Sequence, residues 1–176
     1  MCASVNKTKS AVFIALFAAL IGILSQISLP LPSGIPLTLQ TFAVGLTGML
    51  LGAKKGCAAV GVWLLTGSVG LPLFSGFQGG FSHLIGPTGG FLIGFLFLAL
   101  CCGQKRFLSP VSNFFISLLG LLLCHLCGIL RFAAITEIHI LPVAMTASLP
   151  YLPKDLLCIL GAAICANIIK KKTSLF

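Results

Sequence analysis

Two carboxylates, Glu137 and Asp155, are the whole acidic complement of this 176-residue chain, against eleven Lys and Arg. Asp155 carries more information. It stands in LPYLPKDLL, just after Pro153 and at the first turn of an apolar segment. A helix N-terminus favours a carboxylate there. Such a residue either caps its helix or faces a cavity and accepts hydrogen bonds from a polar ligand, and an ionisable group at the end of a membrane helix is a site candidate by default. Lys154 precedes it, but consecutive helical residues point about 100° apart, so Lys154 need not share its target and is free to snorkel to the interface. Arg131 and Glu137 either pair with each other or meet water. His139 reads as interfacial. His83 is better placed for binding, although a satisfied polar histidine is the simpler reading than a catalytic one. Cys124-His125-x-Cys127 invites a metal reading, but no fourth ligand is spaced to match a zinc site. No Ser/His/Asp signature stands out and no Walker motif is present, so ATP hydrolysis by the P-loop route is not expected.

The elements that position these residues are apolar spans. The chain is 58% hydrophobic and 7% charged with mean hydropathy +1.16, whereas soluble domains run near one quarter charged. This composition predicts an integral membrane protein and makes the lipid bilayer its first partner. Seven of its eight Cys lie inside or beside hydrophobic runs, where Cys behaves as a small hydrophobe; free thiols are expected. Cys2 lacks a specific lipidation motif. The basic start, Met1 to Ser10, followed by a long apolar run resembles a signal peptide. The run is long enough to cross, at about 20 residues per crossing, and no small-x-small cleavage site follows, so it reads as a retained first helix.

Six spans fit, predicting an all-α membrane protein, a bundle of six transmembrane helices forming a single domain over residues 1–176. They run Ala11–Leu29, Leu37–Leu51, Cys57–Phe74, Gly89–Cys102, Pro110–Leu130 and Leu152–Ile169. The second and fourth are short for a core of roughly 30 Å. Pro30–Pro36 breaks the chain after the first span, and Arg131–Pro150 reads as mixed and partly helical. With six spans, Lys7, Lys9, Lys54, Lys55, Lys105, Arg106 and Lys170 to Lys172 share one side, leaving only Arg131 and Lys154 on the other. The positive-inside rule then places both termini in the cytoplasm. The charge of +9 is thereby explained without nucleic acid.

On the opposite side lies Phe74–Gly94, FSGFQGGFSHLIGPTGGFLIG. It carries seven Gly, Pro87 and the polar side chains Ser75, Gln78, Ser82, His83 and Thr88. In hydrocarbon such a segment would leave amides unpaired, so it is expected to be buried in protein or to line a polar cavity, where Gln78, His83 and Thr88 become binding candidates. The Pro30–Pro36 turn and the Arg131–Pro150 segment converge at the same end. Span one shows Ala11, Ala15 and Ala19 at fourfold spacing, with Ala18 and Gly22 on a second row. Such rows let another helix approach closely, and either an intramolecular neighbour or a separate partner satisfies them.

Five stretches, in order, then carry a resemblance: PSGIPLTLQT (Pro32–Thr41), GMLLGAKKG (Gly48–Gly56), GSVGLP (Gly67–Pro72), GPTGGFLIGF (Gly86–Phe95) and PYLPKDL (Pro150–Leu156). The chain resembles the BioY family, the biotin-specific substrate-binding (S) components of energy-coupling-factor (ECF) transporters, over essentially its whole length. The resemblance implies a multi-pass protein of the cytoplasmic (inner) membrane that captures biotin from outside. It also implies docking on a transmembrane coupling protein and a pair of ATPases, with Ala11, Ala15 and Ala19 resembling the docking face. Biotin is then the substrate, with no cofactor, no metal and no enzymatic activity. Asp155 matches the family's aspartate and is expected to accept from the ureido N–H groups, with Gln78 pairing either edge. Trp63 or phenylalanines would flank the thioether ring, and backbone amides around Gly86–Gly90 would meet the valerate carboxylate. The family commonly has Gly before the aspartate and Lys three residues after it, where this chain has Lys154 and Cys158. The expected substrate site is therefore Asp155, Lys154, Gln78, His83, Thr88 and Trp63. Rival readings are a component for another small vitamin, an intramembrane enzyme using His83, His125 and Asp155, and a small pore.

Overall fold

The computed structural model describes residues 2–29, 35–104 and 110–173, and side-chain environments from 7, 35 and 112 onward in those three stretches. Eight helices and one short ladder are present among them. They run α1 (Cys2–Ser25), β1 (Ser28–Leu29), β2 (Leu37–Thr38), α2 (Gln40–Leu51), α3 (Ala53–Ser68), α4 (Phe81–Ile85), α5 (Gly89–Cys102), α6 (Pro110–Thr136), α7 (Ile140–Ala147) and α8 (Leu152–Lys172).

Among the described residues, three helices have stretches long and apolar enough to cross a membrane, Lys7–Ser25, Ser112–Thr136 and Leu152–Lys172. They expose large apolar side chains such as Leu16, Phe115, Leu157 and Ile164, the surface expected of helices that are apolar all round and face lipid. α2 and α5 are shorter, with 12 and 14 residues. At 1.5 Å per residue α2 is only about 18 Å long, but ten of its twelve residues are buried. It runs inside the bundle between α3, α5 and α8. The shortness that looked marginal for a lipid-facing span suits a helix sheathed by longer ones.

The ends of the elements differ from the predicted spans. α1 stops at Ser25, and Ser28–Leu29 pairs antiparallel with Leu37–Thr38, Ser28 opposite Thr38 and Leu29 opposite Leu37. The fold is thus mostly helical rather than purely so. The extended backbone after α1 and before α2 finds its partner in that ladder instead of continuing either helix. Of the expected Pro30–Pro36 break, residues 30–34 lie outside the described residues. The third span ends at Ser68, six residues before Phe74, because Gly70, with φ 115°, turns the chain away. α6 runs on past Leu130 to Thr136, and Glu137, at φ 57°, ends it. α7 is the helical part expected within Arg131–Pro150.

Close contacts between helices set the site. A Cβ on Gly90 would collide with the Cys127 carbonyl, and one on Gly94 would stand 2.8 Å from the Cys124 Cα. These two glycines let α5 lie against α6, fixing Phe91 and Phe95 between them. At the far end Ala53 N–H donates to the Gly103 carbonyl at 2.9 Å, tying the α2–α3 turn to the end of α5. The core gathers Ile21, Val44, Trp63, Leu98, Leu121 and Ile159.

Candidate functional site

Asp155 is 5% exposed and collects three donors from three helices. Thr41 Oγ1 of α2 donates to its Oδ1 at 2.6 Å, and Lys154 Nζ approaches the same oxygen at 2.5 Å. His125 Nε2 of α6 lies 3.2 Å from Oδ2. These partners are side chains, and no side-chain cap bond starts α8, so of the two readings of Asp155 the inward-facing one matches its contacts: the helix begins with Pro153 in its first turn, and Asp155 turns inward. Lys154 does not snorkel away. Its flexible stem curls back so that Nζ bridges Asp155 and the Thr38 carbonyl, the latter at 2.9 Å. On the other side of His125, Ser148 Oγ is 2.8 Å from Nδ1. If His125 is neutral and gives its Nε2 proton to Asp155, Nδ1 accepts from Ser148, a tautomer selected by its neighbours. Tyr151 OH donates to the Ile35 carbonyl at 2.5 Å. With Lys154 on Thr38, this ropes the β2 side of the ladder onto the start of α8.

Except for Ser148, which stands behind His125, these residues line a small cavity of about 60 Å³, here the acid lobe. Its donors and acceptors can be counted. A carboxylate has roughly four acceptor positions and an ammonium three donors. Asp155 has three positions engaged, leaving one on Oδ2, and Lys154 has two donors engaged, leaving one. Gln40 accepts from Thr38 Oγ1 through Oε1 at 3.2 Å, which keeps its NH₂ group available.

A larger cavity of about 370 Å³ adjoins it, here the loop lobe. Ile35, Pro36, Gln40, Phe91 and Phe95 belong to both walls, so the two form one two-ended site with rings in the middle. The loop lobe is closed by the Gly-rich segment before α4. Gln26, the residue after α1, clamps that segment, with Oε1 accepting from Phe77 N–H at 2.8 Å and Nε2 reaching the Gly22 and Pro72 carbonyls at 3.0 and 3.3 Å. Phe77, at φ 57°, holds a conformation uncommon for a side chain of its size. Phe74 N–H donates to the Gln78 carbonyl at 2.9 Å, which brings Ser75 and Gln78 over the cavity. Ser75 Oγ is enclosed and has no hydrogen-bond partner among the described residues.

Of the expected site residues, Asp155 and Lys154 line the acid lobe, and Gln78, His83 and Thr88 line the loop lobe. His83 also meets Phe74 edge-on, ring centroids 6.1 Å apart. Trp63 is corrected. It is fully buried, lines neither lobe, and gives its indole N–H to the Leu73 carbonyl at 3.0 Å. Its ring stands behind Phe74 and Phe95, at 5.4 and 6.1 Å, as a support for wall residues. Arg131 does not pair with Glu137; its guanidinium donates to the Ile85 carbonyl at 2.6 Å. The Cys124-His125-x-Cys127 cluster disperses, Cys124 Sγ turning to the Phe91 carbonyl at 3.5 Å while His125 turns to Asp155. Sequence reasoning missed Thr41 and Tyr151 as site residues and Ser148 as the support of His125, and had His125 only as a metal-ligand or catalytic candidate. A polar side chain inside an apolar run, in a chain with only two carboxylates for it to meet, was the signal available for His125. Ala11, Ala15 and Ala19 are exposed on α1, whereas Ala18 is buried and Gly22 meets Leu73. The two small-residue rows therefore have different destinations.

A model of the BioY family matches residues 1–174. The probable biotin transporter BioY of Pyrococcus horikoshii is 35% identical over 170 residues, 95% of this chain and 99% of the relative. The biotin transporter BioY of Rhizobium etli is 33% identical over 172 residues, covering 90% and 91%. Among solved structures, the S-component for biotin from an ECF-type ABC transporter superposes with a TM-score of 0.83 at 25% identity, covering 94% of this chain and 93% of that one.

Proposed function

The chain belongs to the BioY family, and on that premise we propose that it captures biotin at the two-lobed cavity and serves biotin uptake across the inner membrane. The carrying observation is the complementarity of the acid lobe. A ureido group brings two N–H donors and one carbonyl. The lobe offers two acceptors, the remaining position on Asp155 Oδ2 and the second lone pair of Gln40 Oε1, and for the carbonyl the remaining donor on Lys154 or the free amide hydrogens of Gln40. Phe91 and Phe95 would flank the apolar bicycle, and the valerate chain would extend into the loop lobe toward Gln78, His83 and Thr88. Lys154 would supply, from the residue before the aspartate, the cation that the family commonly carries three residues after it.

As a transporter component the chain would form a single membrane domain with six crossings and both termini in the cytoplasm. The placement of nine of its eleven cations supports this topology. The exposed row Ala11, Ala15 and Ala19 would dock a transmembrane ECF coupling protein, and separate ATPase subunits would drive release. The chain is a substrate-binding transport protein rather than an enzyme.

Calorimetric titration of the detergent-purified protein with biotin, with thiamine and riboflavin as controls, tests the substrate. Tight binding of biotin alone is expected; tight binding of thiamine or riboflavin in its place would replace the substrate. For the docking face, Ala15→Trp is expected to leave biotin binding intact and to abolish uptake in cells that carry the coupling protein and ATPases. Normal uptake would move the docking surface elsewhere.

A further inference from the structure

The two lobes differ in charge as well as size. Lys154 and Asp155 line the acid lobe. Among the described residues, no Lys, Arg, Asp or Glu lines the loop lobe; its polar groups are Ser75, Gln78, His83 and Thr88 besides the shared Gln40. The segment 30–34, just before the wall residue Ile35, reads Pro-Leu-Pro-Ser-Gly and holds no ionisable side chain. Arg131, next in sequence to the wall residue Phe132, gives its Nη2 to the Ile85 carbonyl at 2.6 Å, keeps an enclosed Nε without a partner among the described residues, and does not line the lobe.

A buried carboxylate needs a cation or several hydrogen-bond donors to offset its desolvation. A neutral amide asks for much less. The loop lobe offers the partnerless Ser75 hydroxyl, the Thr88 hydroxyl and the Gln78 amide, all of which pair with an amide carbonyl as readily as with a carboxylate. Its volume of about 370 Å³ already falls within the roughly 300–1,000 Å³ of whole small-molecule sites, although it would hold only the chain of the ligand. Gln78 is solvent-exposed, so a longer tail has a way out past it.

We propose that this site recognises the ureido ring and tolerates the tail, so that the substrate class extends to carboxyl-amidated biotin, including lysine conjugates of the kind released when biotinylated proteins are degraded. This rests on the reading above that biotin places its ring in the acid lobe. Discrimination then belongs to Asp155, Lys154 and Gln40, and the free carboxylate of biotin is dispensable for binding.

The test is a set of parallel titrations of the full chain in detergent with biotin, biotinamide, Nε-biotinyl-lysine and ring N-methylated biotin. Biotinamide and the lysine conjugate are expected to bind within about tenfold of biotin, and the ring-methylated compound to lose about 100-fold or more. A loss beyond about tenfold for biotinamide, with biotin still tight, would overturn the proposal and place the carboxylate against Lys154 or a reoriented Arg131. Tight binding of the ring-methylated compound, or no binding of biotin to folded protein, would instead remove the premise about the acid lobe, and the proposal with it.

Discussion

The acid lobe and the loop lobe share a wall and solve opposite problems. In the acid lobe the polar groups are tied into one network. Asp155 holds Thr41, His125 and Lys154, while Lys154 holds the ladder and His125 is held by Ser148. Five helices and a strand converge on a cavity of about 60 Å³. In the loop lobe one Gly-rich segment, clamped mainly by Gln26, covers about 370 Å³ and leaves Ser75 unpaired. A buried network with most of its hydrogen bonds already committed is stiff and specific. Groups without internal partners are held ready for whatever arrives. The contrast teaches that polar residue types alone do not distinguish a selective end from a permissive one. How many of their hydrogen bonds are already committed does.

The sharpest way to break that contrast is Asp155→Asn. It keeps the shape, removes the charge and leaves Lys154 without its counter-ion, so breaking the buried pair should cost about 3 kcal/mol or more. Biotin affinity is expected to fall at least about 100-fold by calorimetry; unchanged affinity would take Asp155 out of the site. Lys154→Met comes next, with an expected loss of about 10–100-fold, a hydrogen bond to a charged group contributing roughly 1.5–3 kcal/mol. Lys154→Arg should recover only part of it, since the planar guanidinium does not reproduce the three-way reach of an ammonium.

His125→Gln tests positioning rather than contact. A loss of about tenfold is expected, and because His125 acts through Asp155, the double variant with Asp155→Asn should fall short of the sum of the two single effects. Full additivity would detach His125 from the network. The smallest effects belong to the loop lobe. Gln78→Ala and Thr88→Ala should each weaken biotin less than about tenfold, a neutral hydrogen bond contributing about 1 kcal/mol. Ser75→Ala should leave the melting temperature of ligand-free protein unchanged or raise it, because the hydroxyl it removes has no partner. A clear drop in melting temperature would show that Ser75 already serves the loop.

Much of this organisation is legible along the chain. The apolar runs mark α1, α6 and α8, the Gly-rich stretch marks the loop lobe, and Asp155 with its flanking prolines marks the start of α8. Gln78, His83 and Thr88 were found because polar side chains in an irregular segment between apolar runs have few other uses. Trp63 was misplaced because an aromatic suited to stacking on a ring is equally suited to packing behind one. Only its surroundings, 0% exposure and a bond to the Leu73 carbonyl, separate the two. The two rows on α1 illustrate the same point. Ala15 and Ala18 have the same chemistry and similar spacing, yet one faces outward and the other lies against the core.

By itself the sequence determined the membrane character of the chain, its helical spans, its family and the stretch where a ligand would be sought. These follow from hydropathy, local turn chemistry and motif order, which add up residue by residue along the chain. Only the tertiary structure decided which side chains share Asp155. Thr41 is 114 residues from it, His125 lies on another helix, and the Thr38 carbonyl that holds Lys154 is presented by a two-residue strand. Those partnerships depend on how glycines such as Gly90 and Gly94 let α5 and α6 close on one another and on where an inward-facing α2 comes to rest. Packing of that kind is a property of the whole bundle, and no local pattern encodes it.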